Sequence, residues 1–146
     1  MIKVFFDASV IFSGMYSVSG ASSRLLTMVK GKQIIGLTTQ TVIEELNNNL
    51  HKIPKYQRYE IDKKIIDCGL IVREKITTDE KQPFTALVNQ KDVHVIAGAV
   101  LTHSDYLITL DKKHLNNKII RDKIKKVKII SPKDLLATIF KGLLDS

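Results

Sequence analysis

The sequence predicts one α/β domain with a three-layer α/β/α architecture. Short apolar runs alternate with longer segments in which apolar residues recur at helical spacing. This alternation is typical of crossover connections in a mostly parallel sheet of four to five strands. The 146 residues, 44% of them hydrophobic, are enough to bury one core without disulfides. We therefore expect residues 1–146 to form one domain with helices on both faces of the sheet.

Strands are predicted where short runs of β-branched or aromatic residues are bounded by small or polar residues. The first run ends at an aspartate and is followed by a Ser- and Gly-rich stretch, residues 8–23, which we expect to form a loop or a short helical turn. The predicted strands are residues 2–7, 33–37, 70–76, 106–110 and 126–130.

Helices are predicted from apolar spacing together with capping and stop signals. Gly98 lies within one of them, at a cost of about 1 kcal/mol relative to Ala, and a close approach of that helix to the sheet would explain it. Residues 77–84 are expected to be a polar connection. The predicted helices cover residues 22–31, 38–50, 56–68 and 91–101, and a last helix opens at Ser131 and Pro132.

The composition excludes several classes of protein. Cys68 is the one cysteine, so no internal disulfide can form, and a reducing, cytoplasmic location is expected. No apolar run approaches the ~18 residues that a membrane helix needs, and the first apolar stretch is too short for a signal peptide. We therefore expect no membrane association.

The positive charge is concentrated in one segment. Of a net charge of +8, residues 111–128 account for +6, with eight basic and two acidic side chains. Such a cluster favours a polyanionic partner, and a lysine-rich solvated surface is the alternative. The candidate nucleic-acid-binding residues are Lys112, Lys113, Lys118, Arg121, Lys123, Lys125 and Lys126.

Four acidic residues are predicted to converge at one edge of the sheet. Asp7 ends the first strand and Asp111 follows the fourth. Because ligands of open α/β sheets bind beyond the carboxyl ends of the strands, both residues belong to the same edge. Asp92 begins the helix that leads into the fourth strand, and Glu45 lies about one turn into the helix after the second strand.

Convergent carboxylates repel one another unless a cation compensates. Oxygen ligands without a His or Cys cluster suit Mg²⁺ or Mn²⁺, which can activate a water for phosphodiester hydrolysis. Each acid also has a plainer explanation. Asp7 could merely end a strand, Asp92 and Asp111 could cap helices, and Glu45 could face water. The adjacent Glu44 could be the ligand in place of Glu45, because only one of two neighbouring helix residues should face the site.

Four segments of the sequence resemble the PIN domain family, the nuclease fold of VapC-type toxins. They are VFFDASVIFSG, VIEELNNNL, KDVHVIAGAVLTHSDYLITLDKKHL and KIISPKDLL, which stand in family order and span nearly the whole chain. The third is the most specific, with an Asp that opens an apolar helix and a strand that ends Thr-x-Asp. The pattern is most similar to toxin-like PIN proteins with a long Ser/Gly-rich first loop.

The resemblance implies a parallel sheet and a cluster of three or four acids that binds Mg²⁺ or Mn²⁺. It assigns the metal-binding and catalytic residues as Asp7, Glu45, Asp92 and Asp111. It further implies metal-dependent cleavage of RNA. Toxins of the family are paired with a protein antitoxin, and members often form homodimers, so the resemblance implies both kinds of partner alongside RNA.

The sequence departs from the family pattern at a few positions. Many members carry Asn where Ser9 stands, although a hydroxyl can still support a carboxylate. Thr109 fits the small hydroxyl residue before the last acid, whereas Leu110 replaces a common Gly. The insert NNKIIRDKIKK is expected to place the basic excess close behind the carboxylates. His94 and His103 are interpreted as packing or surface residues.

Two other functional classes compete with a ribonuclease. One is a nucleic-acid-binding PIN module without significant catalysis, against which the presence of all four acids argues. The other is a phosphoryl-transfer α/β protein. A haloacid-dehalogenase-like phosphatase needs a second Asp where Ser9 stands, and a receiver domain needs an acidic pair at the end of the first strand. The leading hypothesis is a metal-dependent endoribonuclease that acts as the toxin of a toxin–antitoxin pair.

Overall fold

The structure is a computed structural model that describes residues 1–17, 19–50 and 58–145. Within those ranges the chain alternates short strands with helices, as the sequence predicts. The strands are β1 (Lys3–Phe6), β2 (Ile35–Thr39), β3 (Ile71–Arg73), β4 (Tyr106–Ile108) and β5 (Lys128–Ile130). The helices are α1 (Ala8–Tyr16), α2 (Ala21–Lys30), α3 (Gln40–Leu50), α4 (Arg58–Cys68), α5 (Thr78–Lys81), α6 (Val93–Leu101), α7 (Lys118–Lys123) and α8 (Pro132–Asp145).

The five strands form one parallel sheet in the order β3-β2-β1-β4-β5, which confirms the predicted fold class. Val4 in β1 pairs with Gly36 on one side and with Tyr106 on the other. The chain therefore leaves β1 toward β2 and later returns to the other side of β1, which makes the gap between β1 and β4 the topological switch point. We call the edge where the strands end the carboxyl edge, and the edge where they begin the amino edge.

Helices cover both faces of this sheet. A Cβ on Gly36 would lie 2.6 Å from a methyl group of Val29, so that face of β2 packs directly on α2. Side chains alternate along a strand, and Thr39 accordingly lies on the opposite face, where it contacts α6. A Cβ on Gly98 of α6 would lie 2.7 Å from the Phe5 ring and 3.0 Å from Thr39. The close approach that the sequence suggests for Gly98 is therefore confirmed.

The expectation of a loop or a short helical turn over residues 8–23 is wrong, because most of that stretch belongs to the helices α1 and α2. The helix α1 begins directly after Asp7, whose carboxylate accepts a hydrogen bond from the Ala8 N–H at 2.8 Å. Val10 and Ile11 are completely buried. Burial of this apolar face outweighs the low helix propensity of the Ser and Gly residues in the same stretch.

Other helix and strand boundaries in the structure differ from the predicted ones because local hydrogen bonds end or start an element. The expected polar connection contains α5, which a capping box starts: the Thr77 hydroxyl accepts the Glu80 N–H at 3.1 Å, and Glu80 accepts the Thr77 N–H at 3.0 Å. The basic insert contains α7, capped by the Asn117 carboxamide. The strands β3, β4 and β5 are shorter than predicted. The first two residues of the helix predicted over 56–68 lie outside the described residues.

Candidate active site

The carboxyl edge brings the four predicted acids together. Asp7 follows β1, Glu45 lies in α3, Asp92 precedes α6, and Asp111 follows β4. All four line one cavity of about 350 Å³, together with Ser9. Because β1 and β4 are neighbours at the switch point, their ends lie side by side, and the cavity opens where ligands of open α/β sheets bind.

Asp7 is held in place from two directions. One carboxylate oxygen accepts the Ala8 N–H at 2.8 Å, and the other accepts the Thr109 hydroxyl at 2.7 Å. Burial raises the pKa of Asp7 above its ordinary value, the two hydrogen bonds oppose that rise, and the charge of Glu45 adds to it. The structure thus gives this buried carboxyl a fixed orientation toward the cavity.

The two hydroxyl residues tie the end of β1 to the turn after β4. The Thr109 hydroxyl that donates to Asp7 also accepts the Asp111 N–H at 3.1 Å. The Ser9 hydroxyl accepts the Leu110 N–H at 3.2 Å and lies 3.5 Å from the Asp7 carboxylate. Their positions fit the supporting role that the sequence suggests, since they hold two candidate ligands in register across the switch point.

Of the two adjacent glutamates in α3, only Glu45 lines the cavity. Glu44 forms an ion pair with Lys75 at 3.0 Å. Glu45 instead contacts His94 of α6, with 2.8 Å between its Oε2 and Nε2 of the imidazole. His94 is 8% exposed, and its Nδ1 is buried without a hydrogen-bond partner among the described residues. We assign the proton to Nε2, because a buried unpaired N–H costs more than a buried lone pair.

Asp92 stands at the N-cap of α6 and makes no capping hydrogen bond there. The hydrogen bond that a helix cap would make is therefore missing, which argues against Asp92 as a capping residue. Partial burial, followed by the negative charges of Asp111 and Asp7, raises the pKa of Asp92 to about 6. A carboxyl group whose pKa is raised by burial and by neighbouring negative charges is characteristic of functional sites.

Asp111 forms a small cluster with Asp92 and His114. Its Oδ1 accepts the His114 N–H at 2.9 Å, a local contact of the capping type that the sequence allowed. One ligand atom from each of the three residues lies within 4.8 Å of the others. The sequence reasoning missed His114, although its position three residues after Asp111 was an available signal. Two carboxylates and an imidazole are a donor set that can bind a divalent cation.

The basic segment is distributed over both edges of the sheet. Lys112 and Lys113 follow Asp111 at the carboxyl edge. Lys125 and Lys126 line a separate cavity of about 800 Å³ at the amino edge. The expectation that the insert lies close behind the acids is wrong for this second pair, because α7 returns the chain to the edge where the parallel strand β5 must begin. Lys118, Arg121 and Lys123 lie on α7 between the two edges.

Within residues 1–17, 19–50 and 58–145, no helix has the length and apolar character to cross a bilayer.

Comparisons with known proteins agree with this geometry. The family model for the PIN domain matches residues 3–113. Among solved structures, a chain of VapBC2 from Rickettsia felis, bound to a DNA fragment from its promoter, has a TM-score of 0.63 and 12% identity, covering 89% of this chain and 98% of that one. PAE2754 from Pyrobaculum aerophilum has a TM-score of 0.60 and 17% identity, covering 96% of both chains. At these identities the two structures are similar in fold. No curated protein sequence matches the chain.

The matched residues contain β1, α3 and α6 and extend past β4. They therefore include all four acids of the cavity and the two hydroxyl residues that support them. Because the family model matches residues 3–113, which are most of the chain, it shows the family: this chain belongs to the PIN domain family.

Proposed function

We propose that the protein is a divalent-metal-dependent endoribonuclease that acts as the toxin of a toxin–antitoxin pair. The observation that carries the proposal is the convergence of four acids from four separate elements in one cavity at the switch point. Four carboxylates at such a place destabilise the folded protein unless they are paired or bind a cation. A site that costs stability in the free protein is best explained by the ligand that it binds.

The residues present fit a divalent cation. Asp7, Glu45, Asp92 and Asp111 would hold it with oxygen ligands, and His114 lies close enough to Asp92 and Asp111 to join them. Oxygen-rich sets suit Mg²⁺ or Mn²⁺. When bound, either ion supplies Lewis-acid stabilisation of the negative charge that develops during phosphodiester hydrolysis.

The chain's own residues orient the site before any substrate arrives. Thr109 and the Ala8 N–H fix both oxygens of Asp7, and His94 fixes one oxygen of Glu45. Such outer contacts keep ligands in the geometry that they need when bound, so little reorganisation is required. Lys112 and Lys113 at the same edge would neutralise phosphates that flank the reacting one.

The partner proposals rest on the family. The VapBC2 structure is a complex, and the resemblance of this chain to VapC-type toxins supports a protein antitoxin as a partner. RNA as the substrate, a homodimer and a cytoplasmic location are supported by the same resemblance and by the composition of the chain. Light scattering of the purified chain tests the dimer, and co-purification with the product of an adjacent gene tests the antitoxin.

The decisive experiment measures cleavage of single-stranded RNA with Mn²⁺, with Mg²⁺ and with a chelator, for the wild type and for Asp7→Asn. We expect cleavage only with metal, and a loss of at least about a hundredfold in Asp7→Asn, more than the loss of an outer contact usually costs. Asp105→Asn is the matched control, because Asp105 lies at the amino edge and accepts the Lys3 N–H. Cleavage that survives both chelation and Asp7→Asn would overturn the proposal. RNA binding without any metal-dependent cleavage would favour the binding-module alternative.

A further inference from the structure

The wall of the carboxylate cavity carries an exposed aromatic side chain, Phe12 of α1. The ring is 38% exposed, although Val10 and Ile11 of the same helix are completely buried. More than a third of this large apolar side chain therefore remains in contact with water beside four carboxylates. Exposed apolar surface of this kind, rimmed by polar groups, is characteristic of binding sites.

Two further groups extend this surface away from the acids. Tyr16, one turn along α1, is 47% exposed, and its ring centroid lies 5.0 Å from that of Phe12 at an interplanar angle of 37°. Lys64 of α4 places its ammonium 4.6 Å from the Tyr16 ring centroid. We call Phe12, Tyr16 and Lys64 the aromatic shelf. It begins at the carboxylate cavity and ends at a positive charge.

The order of groups along this surface matches the order of groups in a nucleic acid strand. A phosphodiester that reaches the acids carries a base on the adjoining sugar, and a base presents a flat π-face that stacks on aromatic rings. The next phosphate along the strand carries a negative charge, which the ammonium of Lys64 can neutralise. The ammonium of Lys64 thus complements a strand that carries one negative charge per nucleotide.

We propose that the aromatic shelf stacks an unpaired nucleobase next to the phosphodiester that is cleaved, so that the protein acts on single-stranded nucleic acid at that point. In a duplex both faces of a base are already stacked on its neighbours, and moving the base onto Phe12 costs a few kcal/mol. Single-stranded regions avoid that cost. The inference rests on the proposed function and adds a subsite for the base.

The test compares Phe12→Ala, Phe12→Tyr and the wild type on a short single-stranded RNA, on its duplex, and on a series of strands with one abasic position each. Affinity is measured by fluorescence anisotropy, and cleavage is measured in the presence of Mn²⁺. We expect Phe12→Ala to weaken single-strand binding and kcat/KM about five- to a hundredfold, the range for one stacked base. We expect Phe12→Tyr to keep the single-strand affinity and the kcat/KM of the wild type. We also expect the wild type to cleave the duplex poorly.

The abasic series identifies the stacked base. At one position the missing base should weaken the wild type as much as Phe12→Ala does, and the two changes together should cost no more than either alone. Phe140→Ala is the matched control: Phe140 is 43% exposed on α8 and lies 5.7 Å from the Arg24 guanidinium, outside the carboxylate cavity. We expect it to leave binding and cleavage unchanged.

Failure of this inference is distinguishable from failure of the proposed function. If the wild type cleaves RNA with metal, but Phe12→Ala equals the wild type on every strand, the shelf has no base-binding role and the nuclease proposal stands. If Phe12→Ala keeps cleavage and loses binding of a co-expressed protein partner, the shelf is a protein interface. If the wild type shows no cleavage, the nuclease proposal fails. If Phe12→Ala then also binds single strands as tightly as the wild type does, the base-binding role of the aromatic shelf fails as well. A thermal melt of each variant shows that it is folded.

Discussion

The cavities at the two edges of the sheet differ in charge, acidic at the carboxyl edge and mainly basic at the amino edge, and their residues are positioned in different ways. At the carboxyl edge, Asp7 and Asp111 directly follow two neighbouring strands, and strand direction alone places them together. At the amino edge, Lys125, Lys126 and Lys128 line a larger cavity whose shape depends on how α7 and β5 are connected. The comparison teaches that positions tied to strand ends follow from the topology, whereas positions on a surface insert depend on the path of that insert.

The same comparison explains how a chain with a net charge of +8 can hold a metal site. Acids are gathered at one edge, and part of the basic excess lies at the other. Interactions between exposed charges fade over about 8–10 Å at physiological salt, so the lysines of the amino edge do little to offset repulsion among the acids. The carboxylate cavity remains attractive to a cation within a basic protein.

The largest expected effect is the pH dependence of metal binding at the carboxyl edge. Because the pKa of Asp92 is raised to about 6, a bound cation must displace a proton below that pH. Metal affinity should rise about tenfold per pH unit from pH 4 to 6 and level off above. Stability of the metal-free protein should change in the opposite direction, since the folded state holds this proton more tightly than the unfolded chain. Calorimetric titration with Mn²⁺ and thermal melts measure the two effects.

Asp92→Asn is the control for the pH dependence, because it removes the titrating group. We expect this variant to bind Mn²⁺ more weakly than the wild type does, and with an affinity that changes less over the same pH range. A wild type whose Mn²⁺ affinity does not change between pH 4.5 and about 6.5 would contradict the prediction.

A smaller effect is expected from a matched pair of histidines, one at each edge. His94→Leu removes the contact that orients Glu45 and should weaken Mn²⁺ binding about ten- to a hundredfold, the usual effect of losing an outer partner of a ligand. His103 lines the amino-edge cavity and has a φ of 54°. Asn tolerates that backbone conformation, so His103→Asn should leave metal affinity unchanged. His94→Gln, which keeps a donor, should restore part of the loss. If His94→Leu, His94→Gln and His103→Asn all bind Mn²⁺ with the affinity of the wild type, His94 only packs.

The smallest effect is expected from two lysine pairs. The double variant Lys112→Ala, Lys113→Ala should weaken RNA binding severalfold and lower the slope of log affinity against log salt by about 1.4, since each phosphate contact on a single strand contributes about 0.7. The double variant Lys125→Ala, Lys126→Ala should lower the slope less, because these residues lie at the amino edge. Metal affinity should persist in both. An equal or larger effect of the second pair would mean that the bound strand wraps from one edge to the other.

The convergence of the four acids at one edge of the sheet could be predicted from the sequence for one physical reason. Short buried strands are recognisable as apolar runs, and parallel order brings their ends to one edge, so Asp7 and Asp111 could be placed without coordinates. The contact between His94 and Glu45 was out of reach, since it joins residues 49 positions apart through the packing of α3 on α6. The helix α1 was missed because its stability comes from burial, which outweighs the propensities of its Ser and Gly residues.

Surface features were the least predictable. The lysines of the insert follow from composition, but their edge depends on α7, a short helix whose start is set by the cap at Asn117. The exposure of Phe12 depends on which face of α1 is buried, and the sequence predicts only a loop or a short helical turn there. In both cases the residue type was visible in the sequence, while its surroundings required the three-dimensional structure.

The strand order has a consequence for the timing of synthesis. The hydrogen bond from Thr109 to Asp7 spans 102 residues, and the carboxylate cavity is incomplete until β4 has paired with β1. A ribosome adds about 5–20 residues per second, so a growing chain spends about 5 to 20 seconds without the second half of its site. Contacts of such long sequence separation also form late in folding. A delay between the synthesis of Asp7 and the completion of the cavity is thus built into the order of the strands along the chain.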